Sequence, residues 1–329
     1  MNIKSCAQAS RAAEQERIAR VRAELLLRGG RFIKVKGILA SVGPNLASVS
    51  LAAVLAAAQP ALAVDVVVNE PASNAPVVVQ SPGVDNVTVT STGLITNGAD
   101  ATHAPIEITT DANSDAITVD VHDVTTTAGT NGAIFIQTDG TGDVTVTSDG
   151  DVTGARKGIN ITHTGSGNVS VTSTGTITGT ADSGVRVLRD GSEAGFNVAV
   201  NVNQVTANIG GTGAALDIGN ASAGGSITVT ATGTVTNTLG HAIRINGVDG
   251  NSDGNLSGPL TIDVKDVVSG SRADPADPFT SGGADGIQLI GAVGSAGAPQ
   301  TVDITTGNLD VTGNGVNLGQ TINRVDGPT

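Results

Sequence analysis

From about residue 86 onward, apolar β-branched residues alternate with Thr, Asn, Gly and Ala in three short runs that recur as one unit. The clearest copy is Ser226 to Gly247, SITVTATGTVTNTLGHAIRING. Ile227 and Val229 make its first alternation, Val235 stands alone in the second, and Ile243 and Ile245 make the third. A period of two in β-branched residues predicts strands, and the Gly and Asn clusters between them predict turns. Three short strands per unit with no helical period predict a solenoid.

The first alternation starts at Val87, Ile117, Val144, Val169, Val198, Ile227, Leu260 and Val302, with spacings of 30, 27, 25, 29, 29, 33 and 42 residues. The third recurs independently, in Ile106-x-Ile108, Ile134-x-Ile136, Ile159-x-Ile161, Val185-x-Val187, Leu216-x-Ile218, Ile243-x-Ile245, Ile287-x-Leu289 and Val316-x-Leu318. Gly or Ala precedes almost every pair, which suits a tight corner. The fold expected is all-β, a three-stranded parallel β-helix of about eight coils. Val87, Val89, Ile117, Val119, Val144, Val146, Val169, Val171, Ile227, Val229, Ile243 and Ile245 should point inward as stacked rows. The residue between each third-alternation pair should face outward in one column: Glu107, Phe135, Asn160, Arg186, Asp217, Arg244, Gln288 and Asn317. Arg186, Asp217 and Arg244 would then form an exposed charge ladder.

The middle of the unit has two forms. Four units turn after the first strand through Gly (Thr92-Gly93, Asp149-Gly150, Thr174-Gly175 and Thr232-Gly233), where a positive φ costs little. Ile117 to Val124, Val198 to Val205 and Leu260 to Val267 run straight on, with one residue fewer and an extra valine in phase.

Composition narrows the class. The chain has 45 Gly, four Phe, no Tyr and no Trp, and only 14% of its residues are charged. Small and β-branched side chains can fill a narrow coil without aromatics. The net charge of −13 argues against nucleic acid as a partner. Residues 1–36 carry nine Lys or Arg against three Glu and precede an apolar, Ala-rich stretch, Gly37 to Ala63, that exits through Ala61-Leu62-Ala63. This is the order of a long signal peptide, with cleavage expected before Val64. A retained anchor over 37–63 is the alternative. After residue 63, eight Lys and Arg stand against 27 Asp and Glu, a balance of −19, and the sole cysteine, Cys6, is gone. Residues 64–86, with valine runs broken by Pro71, Pro76 and Pro82, are expected to form an atypical capping coil ahead of the repeat domain, 87–329.

No catalytic, cofactor or metal site is assigned. Asp249-Gly250-Asn251-Ser252-Asp253-Gly254 starts like a calcium loop, but Leu260 stands at position twelve, where a bidentate carboxylate would close the site. His103, His122, His163 and His241 lack metal-ligand spacing and read as solvated turn residues. No nucleophile elbow or phosphate loop is present. Thr88 and Thr90, Thr145 and Thr147, Ser170 and Thr172, and Thr228 and Thr230 make a hydroxyl array like that of some ice-binding solenoids. Asp120, Ala199, Asn201, Asp263 and Asp303 interrupt it.

Over roughly residues 64–329, repeat and composition together resemble the right-handed parallel β-helix of bacterial autotransporter passengers and related surface proteins, and the long basic n-region resembles their extended signals. The resemblance implies export to the cell surface or secretion, and a non-enzymatic role as an adhesin or structural stalk. The partner expected is a glycan or protein ligand, with no cofactor. It also implies an outer-membrane barrel, expected in a longer chain or in a separate protein. The competing expectation is a polysaccharide-degrading β-helix enzyme, for which Asp, Arg and Lys should converge on one groove. An ice-binding or surface-array protein is a further alternative.

Overall fold

The computed structural model describes most of residues 76–317, together with the backbone of short strands at Ile33–Val35, Leu51–Val54, Val64–Val68 and Ala72–Ser73. Outside the described residues lie the rest of 1–75, 318–329, the stretches 82–85, 98–101, 191–194, 211–212, 221–224, 247–257, 271–283 and 291–300, and residues 113, 127 and 130. The expected signal segment falls largely there, as do the calcium-like loop 249–254 and most of the stretches 247–259 and 269–283 that lengthen the sixth and seventh units.

The described chain is a parallel β-solenoid. The first two strands of each unit lie in one wide sheet of 14 strands, and the third lies in a narrow sheet of ten. Every described strand pairing is parallel, and equivalent residues of successive units are partners. Val144 pairs with Ile117 on one side and with Val169 on the other. Ile134 pairs in the same way with Ile106 and Ile159. The stack makes about six turns, fewer than the eight units in the repeat. The seventh unit is broken by stretches outside the described residues. In the eighth, the apolar row is open to solvent: Val302, Leu309 and Val316 are 37–39% exposed. Val64–Val68, Ala72–Ser73 and Val77–Ser81 pair in register with Val87, Leu94 and Ile106 and their neighbours, so the valine runs of 64–86 carry the same three-strand order.

All twelve residues expected to point inward are buried. Each coil contributes an aliphatic residue to these rows, mostly Val or Ile with leucine as Leu216, Leu260 and Leu289, so the core is a set of apolar ladders filled chiefly by β-branched side chains that suit a pleated surface. Burying such a side chain is worth about 1.5–3 kcal/mol, and repetition along the axis makes up for the lack of aromatics.

The two forms of the unit differ by one bulge residue. Ser173 and Thr176 align with Val202 and Gln204, so Thr174-Gly175 oppose the single residue Asn203. The glycines here are not chosen for a positive φ, which among the described glycines occurs at Gly129, Gly132, Gly167 and Gly195. They are chosen for closeness. A Cβ on Gly175 would lie 2.1 Å from the Gly150 carbonyl oxygen of the preceding coil. The same reason governs the corner before the narrow sheet, where a Cβ on Gly158 would lie 2.5 Å from Ile177 Cγ2.

The bulge also explains the extra valine. Ser91, Val121, Ser148, Ser173, Val202, Ala231 and Val264 occupy one inward row, all buried. Straight units place valine there. In two of the four bulged units the serine of this row donates to nearby carbonyls, Ser148 Oγ to Gly150 O at 3.0 Å and His122 O at 2.8 Å, and Ser91 Oγ to Gly93 O at 3.1 Å, whereas Ser173 Oγ has no partner and the fourth unit has Ala231.

Candidate functional site

The narrow sheet turns one regular column outward. Its members pair successively as Glu107, Phe135, Asn160, Arg186, Asp217, Arg244, Gln288 and Asn317, the expected order. Neighbours are spaced about 4.8 Å along the axis, so the stretch from Phe135 to Arg244 is roughly 19 Å long. Beside it runs a second outward column: Thr109, Gln137, Thr162, Leu188, Gly219 and Asn246.

Asp217 is the hub of the first column. Arg244 clasps it bidentately, with Nε donating to Oδ1 at 3.0 Å and Nη2 to Oδ2 at 2.9 Å. Arg186 is held more loosely, its Nε 3.8 Å from Asp217 Oδ2 and its Nη1 3.4 Å from Asn160 Oδ1. The ladder is less exposed than expected. The Asp217 side chain is 12% exposed and that of Arg244 18%, because a short carboxylate between two long guanidinium arms is covered by them, while Arg186 keeps 33%.

A second cluster sits at the corner leading into the same sheet. Lys157 Nζ donates to Asp182 Oδ2 at 2.7 Å and Arg156 Nη2 to the same oxygen at 3.3 Å. Burial alone would raise the Asp182 carboxyl. The hydrogen bonds from Lys157 and the Ser183 backbone, with the two cationic charges, outweigh burial and hold it below the usual range. Four cations therefore gather on one face around two carboxylates.

The distribution of charge across the molecule is uneven. Among the described residues after 75, Lys265 is the sole cation of the wide sheet, and the other five belong to the narrow sheet and its corner. The wide sheet and its bend carry Asp120, Asp123, Asp149, Asp151, Asp263, Asp266, Asp303 and Asp310.

The fifth cation points inward. Arg189 is fully buried and continues a polar corner row of Thr110, Thr138, His163, Arg189 and Asn220. Its Nε donates to Gly167 O at 3.0 Å and its Nη2 to Gly165 O at 3.2 Å, and its guanidinium lies 4.8 Å from the Phe196 ring centroid. His163, one coil away, is fully buried and neither ring nitrogen has a hydrogen-bond partner. Burial lowers its pKa; the nearby Thr138 carbonyl pulls the other way, the Arg189 charge adds to the lowering, and the Gly142 carbonyl and Asp143 oppose it more weakly.

The histidines are not all solvated turn residues. His163 and His241 are buried in the corners. His241 Nδ1 accepts the Asp285 N–H at 3.0 Å, so that nitrogen carries no proton and its 3.6 Å approach to the Asp285 carboxylate is not an ion pair. His122 is on the surface, 2.6 Å from Asp149 Oδ1, and its pKa is raised by that hydrogen bond and by the Asp123 charge. The four are not brought together, and no group of His, Cys, Asp and Glu among the described residues could hold a metal ion.

The hydroxyl array of the wide sheet is in the expected register, with the expected interruptions. A column that sequence reasoning missed is more regular: Thr96, Thr125, Thr153, Thr178, Thr206 and Thr236 stack without a break. Its signal was a threonine after the lone apolar residue of the middle strand in six successive units. Threonine is a strong strand former on a half-exposed face, and that property accounts for the column.

Comparisons of the chain with protein-family models, curated proteins and solved structures give no match.

Proposed function

We propose that this chain is an exported β-solenoid that works at the cell surface or after secretion as an adhesive module or structural stalk of the autotransporter-passenger type. The observation that carries the binding role is the outer stripe of the narrow sheet, where an aromatic ring, an amide and two guanidinium groups stand in one column on a rigid ladder. Binding residues held on strands keep their spacing, which limits the ordering cost of recognition. The basic n-region, apolar stretch and Ala61-Leu62-Ala63 exit support export.

A polysaccharide-degrading enzyme is the second reading, favoured by the convergence of Asp, Arg and Lys on this same face. The hydrogen bonding there argues against it. Asp182 is engaged by Lys157, Arg156 and Ser183, and Asp217 by two arginines. A general base must be free to take a proton and poised near the working pH. These carboxylates serve as counterions.

Labelling intact cells with a membrane-impermeant amine reagent, followed by N-terminal sequencing of the labelled chain, tests the proposal. Surface labelling of a chain beginning at Val64 is expected. An unlabelled chain beginning at Met1 would overturn it. Release of shortened chains from a polysaccharide by the purified protein would favour the enzyme.

A further inference from the structure

We infer that the outer column of the narrow sheet from Phe135 to Arg244 binds an acidic glycan, specifically a polymer of hexuronic acid, with Arg186 taking a carboxylate and Phe135 the face of a sugar ring. This rests on the adhesin reading and names its ligand class.

The inference starts from charge. A chain with a balance of −13 repels polyanions in general, yet five of the six described cations after residue 75 lie on one side of the coil. On the outer face of that side, Arg156, Lys157, Arg186 and Arg244 exceed their partners Asp182 and Asp217 by two charges. The buried Arg189, three residues after Arg186, adds to the same field. The narrow sheet and its corners also carry Glu107, Asp111, Asp139, Asp143, Asp190 and Asp285, so the cationic excess is confined to the stretch formed by Arg156, Lys157, Arg186 and Arg244. A long, dense polyanion would also meet the acidic flanks, whereas a chain with one carboxylate per sugar can lie along the stripe.

The geometry then selects among anions. Arg244 is committed to Asp217 by two hydrogen bonds, whereas Arg186 makes one long ion pair and one long hydrogen bond. Its planar fork can exchange these for a bidentate grip on a carboxylate at little cost. Two coils along the column lies Phe135, half-buried, and between them Asn160 is buried, its amide donating to Asn131 O and accepting from Arg186, so it spaces the two groups. An apolar ring face and a guanidinium about 10 Å apart along the axis match the C–H face of one pyranose and the carboxylate of its neighbour in a uronic acid chain. Gln137 and Thr162, on the neighbouring column, supply further hydrogen-bonding groups along the same line. An acidic peptide could use the arginine but has no use for the aromatic platform.

Titration calorimetry of the full chain with a hexamer of hexuronic acid, the matching neutral hexose hexamer and a hexaglutamate peptide tests this at fixed ionic strength. The uronate hexamer should bind and the other two should not. Arg186→Gln should weaken binding about tenfold or more, as loss of a charge-assisted bidentate contact does. Phe135→Ala should also weaken it, while Lys265→Gln on the opposite sheet should leave it unchanged. Unaltered melting temperatures would show that the variants remain folded. Equal affinity for the acidic and neutral hexamers, equal affinity for the peptide, an unaffected Arg186→Gln, or no uronate binding would each overturn the inference. Surface labelling without uronate binding would overturn the ligand class alone. Uronate binding by a chain that is never exported would overturn the adhesin reading and leave the ligand standing.

Discussion

His163 is the residue whose surroundings make the sharpest demand. It is buried one coil from the buried Arg189 and held neutral, with its pKa below the ordinary value of about 6.5. The unfolded chain protonates this histidine as pH falls through that value, while the folded chain resists. Below it the unfolded state binds more protons and stability declines, until the folded pKa is passed. Thr110 and Thr138 fill the equivalent positions in neighbouring coils, so His163→Thr is a structural match. Melting temperatures taken between pH 7.5 and 5 should fall more steeply for the natural chain than for His163→Thr. His122 pulls the opposite way, since its raised pKa favours the fold at low pH, and it is common to both proteins. The serine row gives a second contrast. Ser173 Oγ is buried without a partner, whereas Ser148 Oγ holds two carbonyls. Ser173→Ala should be neutral or stabilising by about 1 kcal/mol, and Ser148→Ala should cost about 1–2 kcal/mol in denaturant unfolding. These corner residues were legible in principle, because period-two counting from Val185 and Val187 puts Arg189 inside. Charge and ring type argued for solvent instead, and the neighbours that make burial tolerable, Gly165, Gly167 and Phe196, come from the corner loops between the alternations.

At the scale of the strand and its turn, the apolar alternation made the rows and the outward column legible, since each depends only on parity along a strand. What the bulges require was not legible. Glycine in a turn suggests a positive φ, but whether coil-to-coil distance leaves room for a Cβ depends on how closely the backbones stack. Gly175→Ala should accordingly cost about 2 kcal/mol or more, because its methyl would overlap the Gly150 carbonyl, and denaturant unfolding would measure it. Val171→Asp, in a fully buried row, should cost several kcal/mol, about 4 or more, for an unpaired charge between two coils. The charge ladder is a milder case. Asp217→Ala leaves two part-covered arginines facing each other across a gap and should lower stability by about 1–3 kcal/mol, more than a fully exposed ion pair would. Strand entry has its own ladder. Asp143 Oδ1 accepts from the Asn168 backbone N–H at 2.8 Å, Asn168 Oδ1 from Asn197 at 2.9 Å, and Asn197 Oδ1 from Ser226 at 2.9 Å. Side chains thus extend the parallel ladder one residue beyond the strands.

For the molecule as a whole, both the fold and the proposed binding stripe rest on one claim: equivalent residues of successive units are direct neighbours in a parallel stack. Disulfide trapping tests that claim most directly, because two cysteines close only when their Cα atoms lie within about 7 Å. Thr162 and Leu188 are partners on the narrow sheet beside the stripe. In a Cys6→Ser background, Thr162→Cys with Leu188→Cys should form a disulfide on mild oxidation of the folded chain, read by mass. Thr162→Cys with Arg186→Cys, two residues out of register on the same face, should stay reduced. Closure of the second pair and not the first would contradict the register, and with it the inward rows and the column from Phe135 to Arg244.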